Sequence, residues 1–385
     1  MTATREVLAG EVRQWLVANA QPADATSVLA ALRDQGTVVG AGQLLDVLTV
    51  LRAELRGAGP LQDLLEAGTC TDVLVNGSAA VWVDDGQGLR RIRSPFSNDG
   101  QVRRLAQRLA SAAGRRLDDA QPFCDARLPD GTRFHAALDT VASPGTLVSL
   151  RLPSRDRFTV ADLVRRGALP DDGAQWLKAL ITSRATFLIS GGTGSGKTTV
   201  LNALLQWVPP QERVVILEDS AELRPDHPHV CSLQGRPPNI EGGGEVGLAD
   251  LVRQAMRMRP DRLVVGEVRG PEVVAMLAAF NTGHDGGAGT IHASGADRVP
   301  PRIEALALAA GLDRDATHAQ LAAGIDSVLH LERREGLRRV AGISELRRGS
   351  TGHTTAVEVV QFTPNGTMVK DSSSRLVERL AAHLC

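Results

Sequence analysis

The chain has 385 residues, 43% hydrophobic and 23% charged, with 43 Lys+Arg against 44 Asp+Glu and a formal net charge of −1. That length predicts two domains with an additional helical piece, and the composition excludes a disordered chain. Near-neutrality removes any global basic field, so nucleic acid is not expected as a direct ligand; the local clusters Arg103, Arg104, Arg108 and Arg253, Arg257, Arg259 read as solvated helix faces.

Cys70, Cys124, Cys231 and Cys385 lie far apart without CxxC or Cys/His ligand spacing, so they read as reduced thiols of a cytosolic protein. No apolar run approaches the roughly 18 residues needed to span a bilayer, and the opening MTATRE lacks a signal-peptide layout. The expectation is a cytoplasmic protein whose membrane association is borrowed from a partner.

Residues 1–56 are predicted as an N-terminal helical segment, with one apolar stripe at Leu8, Val12, Trp15 and Leu16 and another at Leu44, Leu45, Leu48, Leu51 and Leu55. Residues 57–150 are predicted as a small α/β domain. Val73, Val75, Val81 and Val83 fit short strands around an Asn76-Gly77 turn, and a helix is expected over 102–113. Charge, Pro and Gly mark 151–173 as a linker carrying one short helix. Over 174–349 helices alternate with buried strands at 186–190, 214–218 and 263–267, which implies βαβ units and a parallel sheet covered on both faces. Residues 350–385 read as a polar C-terminal tail with a strand over 356–362 and a terminal helix.

The clearest chemical signal is Gly191-Gly192-Thr193-Gly194-Ser195-Gly196-Lys197-Thr198, followed by Thr199, which satisfies G-x-x-x-x-G-K-[ST] between a strand and a helix. Glycines let backbone N–H groups converge on phosphate oxygens, and the helix N-terminus adds its positive end. Lys197 suits the β- and γ-phosphates of ATP, and the Thr198 hydroxyl suits Mg²⁺. Among 43 basic residues only Lys178, Lys197 and Lys370 are lysines, so the choice at this position matches the need for a compact ammonium.

Glu267 closes the third buried strand, where an acid can orient the attacking water. Gly266 stands where an aspartate commonly precedes it, so other groups must help hold the metal. Glu218, Asp219 and Glu222 are the candidates, although an ordinary cluster of exposed acids explains them equally well. His284 and His292 flank a Gly-rich turn whose small residues leave room for a ligand, which favours γ-phosphate sensing over a structural role.

These elements in this order resemble the secretion-ATPase superfamily of type II and type IV systems: Walker A, an acidic "Asp box", a Walker B reading GE, and a "His box". The resemblance is strongest to the Flp-pilus (tight-adherence) assembly branch, the TadA/CpaF-like ATPases, often described as conjugal-transfer-associated. It extends through GPLQDLLEAGTCTDVLVNG (59–77), GRRLDDAQPFCDARLPDGTRFHAAL (114–138), NIEGGGEVGLADLVRQAMRMRPDRLVVGEVRGPE (239–272) and 302–346. Residues 1–56 and 350–385 fall outside it, and Gly287-Ala288-Gly289 replaces a bulkier Ser/Thr-containing stretch of the His box.

The resemblance implies an α/β fold, with a RecA-like P-loop ATPase domain, a smaller α/β N-terminal domain and an N-terminal helical segment. It implies ATP and Mg²⁺ at Lys197 and Thr198, Glu267 acting on water, Glu218, Asp219 and Glu222 near the metal, and His284 and His292 in the His box. Arg127 and Arg133 match arginines that reach the nucleotide when the two domains close. It further implies a homo-hexamer that moves an inner-membrane platform protein. A DNA conjugal-transfer motor with the same ATPase mechanism and a P-loop kinase are the alternatives; a kinase needs a lid, and none is evident.

Overall fold

The computed structural model describes residues 8–384 apart from 9, 13, 17, 20, 22–24, 38, 39, 41, 43, 46, 49–56, 68, 87, 154–157, 237, 239–242, 284 and 335. The chain divides into two compact units, residues 1–155 and 156–385.

In the first unit β1 (Asp72–Asn76), β2 (Ala80–Asp84), β3 (Leu89–Ile92), β4 (Phe123–Arg127), β5 (Arg133–Ala137) and β6 (Leu147–Arg151) form one sheet, ordered β3-β2-β1-β6-β5-β4. Every pairing is antiparallel. The expected hairpin is present: Asn76 pairs with Ala80, and Gly77 takes φ +64°, which favours glycine. Period-two alternation buries Val73, Val75, Val81 and Val83. The helix Asp99–Ala112 starts earlier than expected because the Asn98 side chain accepts the Gln101 N–H at 3.1 Å as its N-cap. Its Val102, Leu105 and Leu109 share one core with those valines and with Phe134, Val148 and Leu150.

The helical segment has a small core of its own, where Val28 and Leu32 of helix Ala25–Asp34 meet Val12, Leu16, Val47 and Leu48. Leu8, Trp15 and Leu44 pack against it, whereas Leu45 faces solvent, and Leu51 and Leu55 lie outside the described residues.

The second unit is built on β7 (Phe187–Gly191), β8 (Val214–Glu218), β9 (Val230–Gln234), β10 (Arg262–Val268), β11 (Ala288–His292), β12 (Ser327–Arg334), β13 (Leu337–Arg348), β14 (Thr354–Thr363) and β15 (Gly366–Val369). Their order is β15-β14-β13-β12-β7-β11-β10-β8-β9. From β12 to β9 each neighbouring pair is parallel, and β12 to β15 form an antiparallel meander. Successive residues feed opposite cores: Phe187 and Ile189 join Leu177, Leu180 and Leu201 on one face, while Leu188 joins Val273, Leu277 and Ile303 on the other. A strand buried on both sides has no polar face to alternate, which is why FLIS, VVILE and LVV read as continuous apolar runs.

Two expectations about boundaries change. Residues 350–385 are not a tail: β14 and β15 extend the sheet, and Val359, Val360, Phe362, Leu376, Val377 and Leu380 enter the main core. The predicted strand and terminal helix exist there as β14 and Arg375–Ala381, and burial of one face of each holds them. The region read as a linker is also largely integrated. Helix Val160–Arg165, closed by a Thr159/Asp162 capping box, buries Val160 and Leu163 in the same core.

Candidate nucleotide site

The phosphate loop leaves the end of β7. Gly194 and Gly196 take φ +70° and +96°, a region L side chains avoid, and Gly196 leads into helix Lys197–Leu205. Gly196, the N-cap of that helix, has no side chain to cap it, so its first N–H groups are left to the loop. Lys197 Nζ donates to the carbonyl oxygens of Gly191 and Gly192, each at 3.0 Å. Burial pulls the Lys197 pKa down, and the charge of Glu267 opposes that shift. Ser195 Oγ, in a residue only 4% exposed, has no hydrogen-bond partner among the described residues. A buried orphan hydroxyl beside a half-buried ammonium and an uncapped helix start fits a bound phosphate chain.

Glu267 is aimed by an irregularity in β10. Val265 pairs with Gly289 and Val268 with Ile291, so β10 carries one extra residue across this step. The Thr290 hydroxyl donates to the Gly266 carbonyl at 2.6 Å and pins the bulge. Gly266 has a steric reason to replace the usual aspartate. Leu217 of β8 pairs with Val265, and a Cβ at Gly266 would stand 2.5 Å from Glu218 Cγ. Glu218 fills the space that the missing side chain would take.

Glu218 is itself buried, and its carboxylate accepts the N–H groups of Glu222 (2.9 Å) and Leu223 (3.1 Å). That folds the acidic loop back until the Thr198 hydroxyl lies 3.4 Å from Glu222 Oε2. The structure therefore brings together Lys197, Thr198, Glu222 and Glu267, with Glu218 as the carboxylate that shapes the loop. The charge of Asp219 is felt within the same group, at Arg269.

Arg269 is the residue the sequence reading missed. Its guanidinium forms an ion pair with Glu267, which raises its pKa, and its charge reaches Lys197, Asp219 and Glu222. The available signal was its i+2 spacing from Glu267 at a strand end, where alternate residues share a side.

The His box is only partly described. His292 ends β11 directly opposite Gly191 and is exposed, whereas His284 lies outside the described residues. The small residues between them do not leave ligand space as expected. A Cβ at Gly287 would run into the Phe280 ring, and one at Gly289 would lie 3.1 Å from the Val265 carbonyl. Those glycines let β11 pack.

Arg127 and Arg133 belong to the first unit, where they are cross-strand partners, and Arg133 is also opposite Arg151. Arg127 Nε donates to the Gly131 carbonyl at 3.1 Å, and Arg151 Nε to Asp72 at 2.8 Å. Three arginines in register across neighbouring strands repel one another unless negative charge offsets them.

A phosphate loop at the end of a buried strand of a mostly parallel sheet, with a carboxylate on the bulge of the strand next but one, defines a nucleotide-binding protein of the RecA-like P-loop class. The Type II/IV secretion system protein family matches residues 54–378, and the chain belongs to it. It is 52% identical over 329 residues to a putative conjugal transfer protein of Mycobacterium tuberculosis, covering 84% of this chain and 93% of that one. It is 32% identical to the type IV secretion system protein PtlH of Bordetella pertussis, over 69% of this chain and 86% of the other. Among solved structures, the pilus retraction motor PilT with bound ADP is similar in fold, with a TM-score of 0.51 at 17% identity, covering 84% of this chain and 85% of that one. Among the described residues no helix is long and apolar enough to cross a membrane.

Proposed function

We propose that the chain is the ATP-hydrolysing motor subunit of a bacterial secretion or Flp-type pilus assembly system. It would work as a homo-hexamer in the cytoplasm, held at the inner face of the membrane by a platform protein that it moves. The observation that carries this reading is Glu267, set on the bulge of β10 close enough for its charge to act on Lys197. Phosphoryl transfer to water asks a protein mainly for positioning and charge stabilisation.

In this reading the loop from Gly191 to Thr199 binds the phosphates, Lys197 leaves the loop carbonyls for the β- and γ-phosphates, and Glu267 orients the water. A magnesium ion held by Thr198, with Glu218, Asp219 and Glu222 nearby, would neutralise charge on the phosphate oxygens. Among the described residues no group of three His, Cys, Asp or Glu forms a ready metal cage. Arg127 and Arg133 would stabilise the transition state when the domains close, and His292, with His284, would report the γ-phosphate to β11. The name of the mycobacterial relative favours a conjugal-transfer system as a second reading with the same mechanism.

Phosphate release from ATP by the full chain tests the proposal. Arg127→Ala and Arg133→Ala should each lower turnover on the order of 100-fold while leaving ATP affinity nearly unchanged, because they act on developing charge. Specific activity should rise with protein concentration as rings assemble. An absence of ATP-dependent phosphate release at every concentration would overturn the reading.

A further inference from the structure

The Arg269–Glu267 pair is half exposed, with side-chain exposures of 61% and 31%, and such a pair adds little to stability. Yet the backbone on either side of it is firmly held. Glu272, which is buried, accepts the N–H groups of Arg269 and Gly270 at 2.5 and 2.8 Å, and Thr290 holds Gly266 from the neighbouring strand. Both side chains therefore start from fixed points and meet above the phosphate loop's end of the sheet. Arg269 is also a cation acting at this end, its charge felt by Lys197 and in turn feeling Glu267, Asp219 and Glu222.

A carboxylate engaged by a guanidinium is poorly placed to orient water. A γ-phosphate would add dense negative charge next to Lys197, and its oxygens match the planar guanidinium fork in two-point contact. ADP, which ends at the β-phosphate, would not present that competitor. We propose that Arg269 is a γ-phosphate-sensitive latch: it restrains Glu267 in the nucleotide-free and ADP states and transfers to the γ-phosphate of ATP, freeing Glu267 for water. This rests on the ATPase reading above and adds a further γ-phosphate contact, supplied from the residue just past the strand that carries the glutamate.

The test compares binding of ADP and of the non-hydrolysable analogue AMP-PNP to the full-length wild type, Arg269→Ala and Arg269→Lys. Arg269→Ala should bind ADP within about twofold of wild type but AMP-PNP about tenfold more weakly, the scale of a lost charge-assisted hydrogen bond. Arg269→Lys, which keeps the charge without the fork, should fall between them. Unchanged ADP affinity also shows that the variants are folded. Equal changes in both affinities, or none, would overturn the latch even if turnover fell, since a merely structural arginine alters the rate without altering the preference for the γ-phosphate. If the wild type binds both nucleotides but releases no phosphate, the ATPase reading falls while the latch is still read from the two affinities.

Discussion

Strand β10 carries an arginine at its start and a glutamate near its end, and the two sites are built in opposite ways. Arg262 is 2% exposed; its Nε donates to Glu212 at 2.5 Å and a second nitrogen donates to the Ile181 carbonyl at 3.1 Å. Glu212 is shared with Arg184 at 2.7 Å. Burial pulls the Arg262 pKa down and Glu212 pushes it back, and these partners offset the cost of burying a guanidinium that stays charged. Glu267, five positions from the end that Arg262 anchors, stands on a bulge, half exposed, with a flexible arginine as its partner. A charge that is itself buried cannot change partners without opening its surroundings, whereas one at the open edge can exchange an arginine for a ligand. The same strand thus carries a buried structural charge at one end and, in the proposed reading, the catalytic one at the other.

That contrast breaks if the two ends fail in the same way. Arg262→Ala removes a buried guanidinium and one of the two cations paired with the half-buried Glu212, and should cost about 3 kcal/mol of stability. Chemical denaturation should show the lower midpoint, and the molecules that remain folded should bind ADP as wild type does. Lys197→Ala should show the reverse. Its unfolding midpoint should stay near wild type, while affinity for a fluorescent nucleotide falls on the order of 100-fold, as a partly buried charge-assisted contact is lost. Near-wild-type nucleotide affinity in Lys197→Ala would remove the phosphate loop from the account.

The parts of this site that a sequence can show are those set by local pattern. The G-x-x-x-x-G-K-T run, the apolar strands and the valine hairpin depend on neighbouring residues, and the structure has them where they are expected. What was illegible depends on register between distant strands. Gly266 looks like a missing aspartate until β8 is paired with β10 and the Glu218 side chain occupies the gap. The glycines before His292 look like ligand space until Phe280 and Val265 fill it. The region 350–385 was misread because its burial is supplied by a meander: β14 alternates only loosely, and its apolar residues find a core only once β13 lies beside it. The i+2 spacing of Arg269 from Glu267 becomes a signal only once the strand end and its bulge are placed.

The central claim is that Glu267 acts on water and not on binding, and one comparison tests it directly: wild type and Glu267→Gln, with bound ATP and released phosphate followed in the same sample. The substitution keeps shape and hydrogen bonding while removing the charge that orients water. The account predicts that Glu267→Gln binds ATP at least as tightly as wild type and retains it, with phosphate release slowed by about 100-fold or more. Release at the wild-type rate would contradict it, and would pass the catalytic role to the acidic loop around Glu222.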